Sequence, residues 1–409
     1  MKFLILNAGS SSQKSCLYQL GENLPTLPQE PLWEAKIDWT AKKPGVAVFQ
    51  VKTAHGASIE EDLAIEERPK AIAYMLNTLW RGSTQVISQL SDIDIIGHRV
   101  VHGGQEYTKA TIVTPQVKAV IRKLAALAPE HNPANLEGIE VLEQILPQVP
   151  QVAVFDTAFH SQLPLAAAVY PGPYEWFEQG IRRYGFHGIS HQYCVQRVSQ
   201  LLGKPLKSLR IISCHLGNGC SLAAVRNGVC IDTTMGFTPL EGLMMGTRSG
   251  SVDPGILIHL LRQSYDKERL NDILNRESGL KGISGISGDL RQIKKAMEEG
   301  NTRAQLAFDV YVHRLRSHIG SMLASLGGLE AIVFTGGVGE NSAEVRAAAC
   351  EALAFLGLTL DKNKNYASGV DEDIATEYSA IRVLVVHTEE DWAIAQECWQ
   401  LAASRSPNQ

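Results

Sequence analysis

Arg99 and His102 leave an apolar run just before two glycines in GHRVVHGG, residues 97–104. Asp156 ends another such run in VAVFDTAFH, residues 152–160, the place where an open α/β sheet usually presents a working carboxylate. His187 and His191 follow an aromatic pair around Gly185 in RRYGFHGISH, residues 182–191. Arg248 and Asp253 stand in the long glycine-punctuated segment TPLEGLMMGTRSGSVDPG, residues 238–255. An arginine between small residues can reach into a cleft, and its planar fork matches a carboxylate or a phosphate. An anionic ligand in such a cleft is what these residue types would suit. Plain structural readings stand beside this one. Residues 97–104 also read as a solvated strand end, EHNPANLEGI at 130–139 as a helix start with His131 and Asn132 as caps, and GISGDLR at 285–291 as a cap at Asp289. The spacing of His187 and His191 would suit a helical metal site, but Gly188 intervenes and no acidic partner stands at the right offset.

Three glycine turns could bind the anion's other end. The opening, FLILNAGSSSQKSCLYQL at residues 3–20, runs a buried strand into small and hydroxyl residues and then Lys14. Asn7, Gly9 and Ser10 to Ser12 can turn N–H and O–H groups onto phosphate, and residues 15–20 read as a returning strand. GxxxxGK followed by Ser or Thr does not occur there, so this is a hairpin cradle and not a P-loop. The design recurs at 210–225, where a strand runs into HLGNG at 215–219 and resumes in SLAAV. A third strand, AIVF at 331–334, leads into TGGVGENS at 335–342 and a helical stretch at 343–356. Repeated strand, glycine turn, strand units predict a duplicated fold that holds a nucleotide between two lobes.

The elements that must position these residues follow from length and periodicity. At 409 residues the chain exceeds the size at which one core keeps growing, which predicts two domains. Helical spacing covers 68–89, 114–128, 136–145, 252–264, 267–276, 302–326 and 389–402, and a further helix follows His187. Strand patterns cover 46–52, 93–101, 152–156 and 382–387, while 21–61 reads as a variable loop, with Pro25, Pro28, Pro31 and Pro44, before the strand at 46. A net charge of −5 and a pI near 6.2 speak against nucleic acid or an anionic membrane as partner. The apolar runs are far short of a membrane span and the N-terminus is too short for a signal-peptide core, so the expected home is the cytoplasm. Seven cysteines without a CxxC pair fit reduced, buried thiols and not a disulfide framework or a zinc site.

In chain order, LNAGSSSQK, HRVVHGG, HNPAN, FDTAFH, FHGISH, HLGNG, PLEGLMMGTRSG, SGDLR and GGVGEN resemble the acetate kinase family of short-chain carboxylate kinases over nearly the whole chain. The resemblance implies an α/β, duplicated ribonuclease H-like fold of the actin and sugar-kinase type, two-lobed, with its active site in the interdomain cleft. Residues 1–156, closed by 388–409, would form the acetate-side lobe, and 157–387 the nucleotide lobe. The implied reaction is reversible phosphoryl transfer between ATP and acetate, giving acetyl phosphate and ADP. A carboxylate acceptor is already ionised at neutral pH, so the reaction needs cations around the phosphoryl oxygens and no strong base. By resemblance, Arg99 and Arg248 hold the acetate and the transferring group, His187 stabilises the transition state, and Asp156 orients or exchanges a proton. Magnesium, or manganese in its place, would sit on Asn7 and Glu389. Lys14, His215, Leu216, Gly217, Asn218, Gly219, Asp289, Leu290, Arg291, Gly337, Val338, Gly339, Glu340 and Asn341 would hold the nucleotide. Val101, Phe186 and Pro239 would enclose the acetate methyl group. The family also implies a homodimer, and two lobes around a ligand predict closure on binding.

The chain departs from the family's pattern in three places. Glu130 replaces the usual apolar residue before HNPAN and would repel acetate unless turned away or paired. Ile189 stands in FHGISH where the family has threonine, and Thr388 precedes Glu389 where it has asparagine. A propionate kinase is the near alternative, since pocket volume alone separates one methylene by only about 1 to 3 kcal/mol. A non-catalytic nucleotide switch is the distant one; it would keep the glycine turns but has no use for Arg99, His187 and Arg248 together.

Overall fold

The computed structural model describes residues 1–9, 12–39, 45–64, 68–367, 369 and 371–404. Ser10 and Ser11 of the first turn, Pro44 of the proline-rich loop and residues 405–409 lie outside the described set. The chain divides into two compact units, residues 1–158 with 389–409, and residues 159–388.

The first unit is built on an eight-stranded sheet: β1 Lys2–Ala8, β2 Ser12–Gln19, β3 Trp33–Asp38, β4 Val46–Thr53, β5 Ser58–Ala64, β6 Ile95–Val100, β7 Thr111–Ile112 and β8 Gln151–Phe155. Their order is β5-β4-β3-β2-β1-β6-β8-β7. Strands β1 to β5 form an antiparallel meander, and β6 and β8 run parallel to β1. The central strands β1 and β8 are mostly apolar and almost fully buried, as strands covered on both faces are. β3 and β5 lie in or just after the stretch read as loop. In β5 polar and apolar residues alternate in SIEEDLA, and its acidic side chains suit an edge strand that must not pair further.

The second unit carries a six-stranded sheet: β9 Arg210–Leu216, β10 Cys220–Arg226, β11 Val229–Thr233, β12 Ala331–Thr335, β13 Glu372–Asp373 and β14 Arg382–Val385, in the order β11-β10-β9-β12-β14-β13. β9, β10 and β11 are antiparallel, and β12 and β14 run parallel to β9. The five-strand core β3-β2-β1-β6-β8 of the first unit therefore repeats as β11-β10-β9-β12-β14. Each antiparallel hairpin, β1–β2 and β9–β10, holds one of the predicted glycine turns.

Three helical expectations were too long, and that at 114–128 is a helix over Pro115–Lys123 followed by a 3₁₀ turn at Leu124–Ala126. The pattern at 68–89 yields a helix only over Arg68–Asn77. Gly82 then adopts φ +81°, and Leu79 and Ile87 reach the same core from non-helical backbone, so the apolar spacing there reports packing and not helix. The stretch 343–356 is a helix over Ala343–Glu351 and then a short 3₁₀ turn at Ala354–Leu356. Conversely, the turn GGVGEN is itself helical over Gly336–Asn341.

In the first unit the closing helix Glu390–Ala403 lies against β1 and β6. Gly97 of β6 makes the approach possible. A Cβ there would stand 2.7 Å from Cys398 Sγ and 2.9 Å from Ile394 Cγ2. All seven cysteines are buried thiols. No helix among the described residues is long and apolar enough to cross a membrane.

Candidate active site

In the first unit, the functional side chains gather at the carboxyl ends of β1, β6 and β8. Arg99 on β6 grips Asp156, one residue past β8. Its Nε lies 3.2 and 3.1 Å from the two carboxylate oxygens, and its Nη2 donates to Oδ2 at 2.6 Å. The remaining arm donates to Asn7 Oδ1 at 3.3 Å, and Asn7 Nδ2 donates to Glu390 Oε2 at 3.1 Å. Burial pushes the Asp156 carboxyl upward against the pull of the Arg99 guanidinium. Burial works against the charge of Arg99, but Asp156, Glu390 and Asp391 together outweigh it and keep the guanidinium ionised.

The HNPAN asparagines act differently from the cap reading. His131 is the residue before the helix Asn132–Ile145 and makes no capping bond from its side chain. Asn132 and Asn135 are buried clamps. Asn135 Oδ1 accepts from the Val101 N–H and its Nδ2 donates to the Ala8 carbonyl, while Asn132 Oδ1 accepts from the His102 N–H and its Nδ2 donates to the His102 carbonyl. They fix the backbone after β6 to the end of β1, where Arg99 and Asn7 stand. Glu130 is exposed.

The sequence placed a metal on Asn7 and Glu389, and the carboxylate in hydrogen-bond contact with Asn7 is that of the next residue, Glu390. Glu389 occupies the position just before the closing helix. The reason is helical geometry: Glu390 lies one turn before Ile394 and two before Cys398, the face packed on Gly97, and so points along β1 to its end. That face was the signal available in the run Glu389-Glu390-Asp391. Beside it, Asp391 Oδ1 is buried without a hydrogen-bond partner. An amide oxygen and carboxylate oxygens, with no closed cage of protein ligands, suit a hard divalent cation that keeps water and substrate oxygens as its other ligands.

In the second unit, a cavity of about 710 Å³ opens where three of the predicted turns meet. Gly217 and Asn218 line it from the β9–β10 hairpin, Asp289, Leu290 and Arg291 from a helix start, and Gly337, Val338 and Asn341 from the helix after β12. Lys294 and Ser342 line it as well and were not singled out by the sequence. The size fits a nucleotide-sized ligand. Asp289 does cap its helix, accepting from the Arg291 N–H at 2.9 Å, and its carboxylate also pairs with the Arg291 guanidinium.

His215, Leu216, Gly219, Gly339 and Glu340 lie beside that lining. Glu340 Oε1 accepts the Gly336 N–H at 2.8 Å, and its other oxygen stands 2.6 Å from His387 Nδ1. The buried Arg346 guanidinium holds the Gly339 and Glu340 carbonyls. These contacts fix the helix Gly336–Asn341 whose start faces the cavity. Lys14 belongs to the first unit, exposed on β2 and paired in register with Asn7.

His187 sits just before the helix Gly188–Leu202 in the left-handed region, with φ +56°, a strained conformation for a residue other than glycine. Its ring stacks on His215 at 4.3 Å, and its Nδ1 lies 2.8 Å from Ser221 Oγ. Arg248 Nη1 donates to the Pro239 carbonyl at 3.0 Å. A Cβ placed on Gly219 would stand 3.5 Å from Arg248 Nη1 and 3.6 Å from His187 Nε2, so these two groups share the space over that glycine. The buried Phe186 is held through its carbonyl, 3.0 Å from His160 Nε2. Pro239 follows a loop clamped by Tyr170, Glu241 and Arg183. Gly236 must be glycine there, because a Cβ would overlap Glu241 and the Tyr170 hydroxyl.

Buried histidines make the fold acid-sensitive. Burial lowers the pKa of His98, His102 and His160 to about 4, and that of His191 well below its ordinary value. Unfolded imidazoles take up protons near pH 6.5 while these folded ones stay neutral, so stability is full above that value and falls as pH drops toward 4. Each of the first three should cost about 3 kcal/mol by the bottom of that window. Urea midpoints measured from pH 7 to 4.5 should fall steadily below 6.5, with a shallower slope in His98→Gln; parallel slopes in both proteins would contradict the assignment.

Comparison with known proteins agrees with this geometry. A sequence profile of the acetokinase family matches residues 2–396. The chain is 63% identical to the acetate kinase of Nostoc punctiforme and 64% identical to that of Trichormus variabilis, in each case over 98% of this chain and 99% of the relative. Its structure is similar to the crystal structure of Porphyromonas gingivalis acetate kinase, with a TM-score of 0.88, 37% identity, and 98% of this chain and 99% of that one covered. It is similar to a Francisella tularensis propionate kinase at a TM-score of 0.87 and 36% identity, with the same coverage of both chains.

Proposed function

The chain belongs to the acetokinase family, and from that premise we propose that it transfers a phosphoryl group reversibly between ATP and acetate, forming acetyl phosphate and ADP. The observation that carries the chemistry is the placing of Arg248 Nη1 and His187 Nε2 over Gly219, next to the turn that lines the nucleotide-sized cavity. In direct in-line transfer the acetate oxygen attacks the γ-phosphorus, and negative charge stays spread over three equatorial oxygens. Arg248 and His187 donate to those oxygens, and Arg99 orients the incoming carboxylate. Asp156 holds the Arg99 fork in one plane, through bonds that leave little freedom to either group. The acceptor is an anion already, so no residue needs to remove a proton from it.

Magnesium, with manganese as a substitute, fits the oxygen donors of Asn7 and Glu390, with Asp391 beside them. When bound it would offset the negative charge of the phosphates. Val101, Phe186 and Pro239 form the acyl pocket in this reading. Glu130 is exposed on the first unit. Trapping of acyl phosphate by hydroxylamine with ATP and acetate, propionate or butyrate should give yields in that order. A higher yield from propionate would move the substrate assignment to the longer acid.

The helix Pro254–Arg262 supports a homodimer. It buries none of its residues, and Ile256, Ile258 and Leu261 are each about half exposed. A second copy of this chain covering that helix accounts for an apolar surface that a lone chain would leave in water. Sedimentation should give a dimer for the native chain and a monomer for Ile258→Glu with Leu261→Glu; a native monomer would exclude this surface as the contact. The seven buried thiols fit the reducing cytoplasm, which is the compartment we assign.

A further inference from the structure

Ser221 on β10 sits between two imidazoles. Its Oγ is 2.8 Å from His187 Nδ1 and 2.8 Å from His191 Nε2. His191 Nδ1 is in turn 2.8 Å from the hydroxyl of Ser213 on β9. Ser213, His191 and Ser221 are all fully buried, so water does not complete their hydrogen bonding.

A hydroxyl carries one proton, and if the buried Ser221 is to donate it to one of its two histidine partners the row has two directions. In the first, Ser213 O–H donates to His191 Nδ1, His191 Nε2–H donates to Ser221 Oγ, and Ser221 O–H donates to His187 Nδ1. The protons of Ser213, His191 and Ser221 then each have an acceptor. In the second, His187 Nδ1–H donates to Ser221, Ser221 donates to His191 Nε2, and His191 Nδ1–H donates to Ser213. That direction leaves the buried Ser213 proton without an acceptor, because among the described residues the one hydrogen bond of the Ser213 side chain is that to His191. Burial also keeps His191 neutral, so it has the single N–H that a one-way row requires.

We propose that Ser213, His191 and Ser221 form a directed hydrogen-bond relay that holds His187 in its Nε2–H tautomer, making them positioning residues for phosphoryl transfer. The consequence is geometric. With Nδ1 engaged by Ser221, the proton of a neutral His187 must sit on Nε2, the nitrogen beside Arg248 Nη1 over Gly219. The opposite tautomer would turn a lone pair toward phosphoryl oxygens and repel them. The stack on His215 fixes the plane of the ring but cannot choose which nitrogen is protonated. The relay supplies that choice. It rests on the reading of His187 as a donor to the transferring group.

The test uses the full-length protein and three variants, Ser221→Ala, Ser221→Thr and Ser213→Ala. Ser221→Ala should lower kcat by roughly 10- to 100-fold, the usual cost of removing a group that orients a working histidine, with the KM for ATP nearly unchanged. Ser221→Thr keeps the hydroxyl and should recover most of the rate, and Ser213→Ala should fall between. Nitrogen-15 spectra of histidine-labelled protein should show His187 protonated on Nε2 in the native chain and as a mixture in Ser221→Ala. An Nδ1–H His187 in the native chain, or native kcat in Ser221→Ala, would overturn the proposal. So would a kcat loss that Ser221→Thr fails to restore and that comes with equal loss of ATP binding, since that pattern belongs to packing. A native chain with the Nε2–H tautomer but no turnover would remove the kinase reading and leave the relay standing.

Discussion

Arg248→Ala should lower kcat for acetyl phosphate formation by about a thousandfold, the upper range for deleting one donor to developing charge, while ATP binding measured by calorimetry stays nearly constant. The separation follows from the structure. The nucleotide-sized cavity is lined by the turns at Gly217, Asp289 and Gly337, and Arg248 is not among its lining residues. Its Nη1 is held by the Pro239 carbonyl and stands with His187 over Gly219, so its charge is available where charge develops and not where the adenosine would rest. Lysine should rescue poorly, since an ammonium cannot both keep the Pro239 contact and present a planar fork. Equal losses in ATP affinity and kcat would mean that Arg248 binds the nucleotide in the ground state.

Glu390→Gln should raise the magnesium concentration needed for half-maximal rate by more than tenfold and lower kcat at saturation, whereas Glu389→Gln should change both by less than about threefold. The amide keeps the shape of the side chain but removes the charge that a dehydration-resistant cation requires. It also leaves Asn7 without its carboxylate partner and lifts one of the negative charges that hold Arg99 ionised. Titration of the rate with magnesium in both variants decides between adjacent residues. A metal defect in Glu389→Gln with native behaviour in Glu390→Gln would place the metal on Glu389, as expected from sequence.

A run of three acidic residues carries no register of its own. Register came from Gly97, whose missing side chain lets Ile394 and Cys398 approach the sheet and thereby turns Glu390 toward Asn7. The repeated hairpins were legible because each pairs an apolar strand with a glycine turn and a returning strand, a local pattern. β3 and β5 were not legible: prolines before β3 suggested loop, and β5 has the polar alternation of an edge strand. Arg99 and Asp156 were visible as charged ends of apolar strands, but their mutual grip depends on the parallel pairing of β6 and β8, which are separated by a long stretch of chain. The asparagines of HNPAN misled for a related reason. A proline after Asn132 signals a helix start, and nothing local shows that both amides reach back to the strand ends. The Ser221 relay was invisible because serine in a strand carries no pattern until β9, β10 and the helix after His187 are packed together.

The most direct measurement is hydroxylamine trapping of acyl phosphate from magnesium ATP and acetate, with native protein beside Arg248→Ala and ATP binding measured for both. Acetyl hydroxamate is expected from the native protein, almost none from the variant, with ATP bound by each. Native protein that binds ATP yet forms no acyl phosphate from acetate, propionate or butyrate would contradict it and leave a nucleotide-binding switch as the reading of this fold.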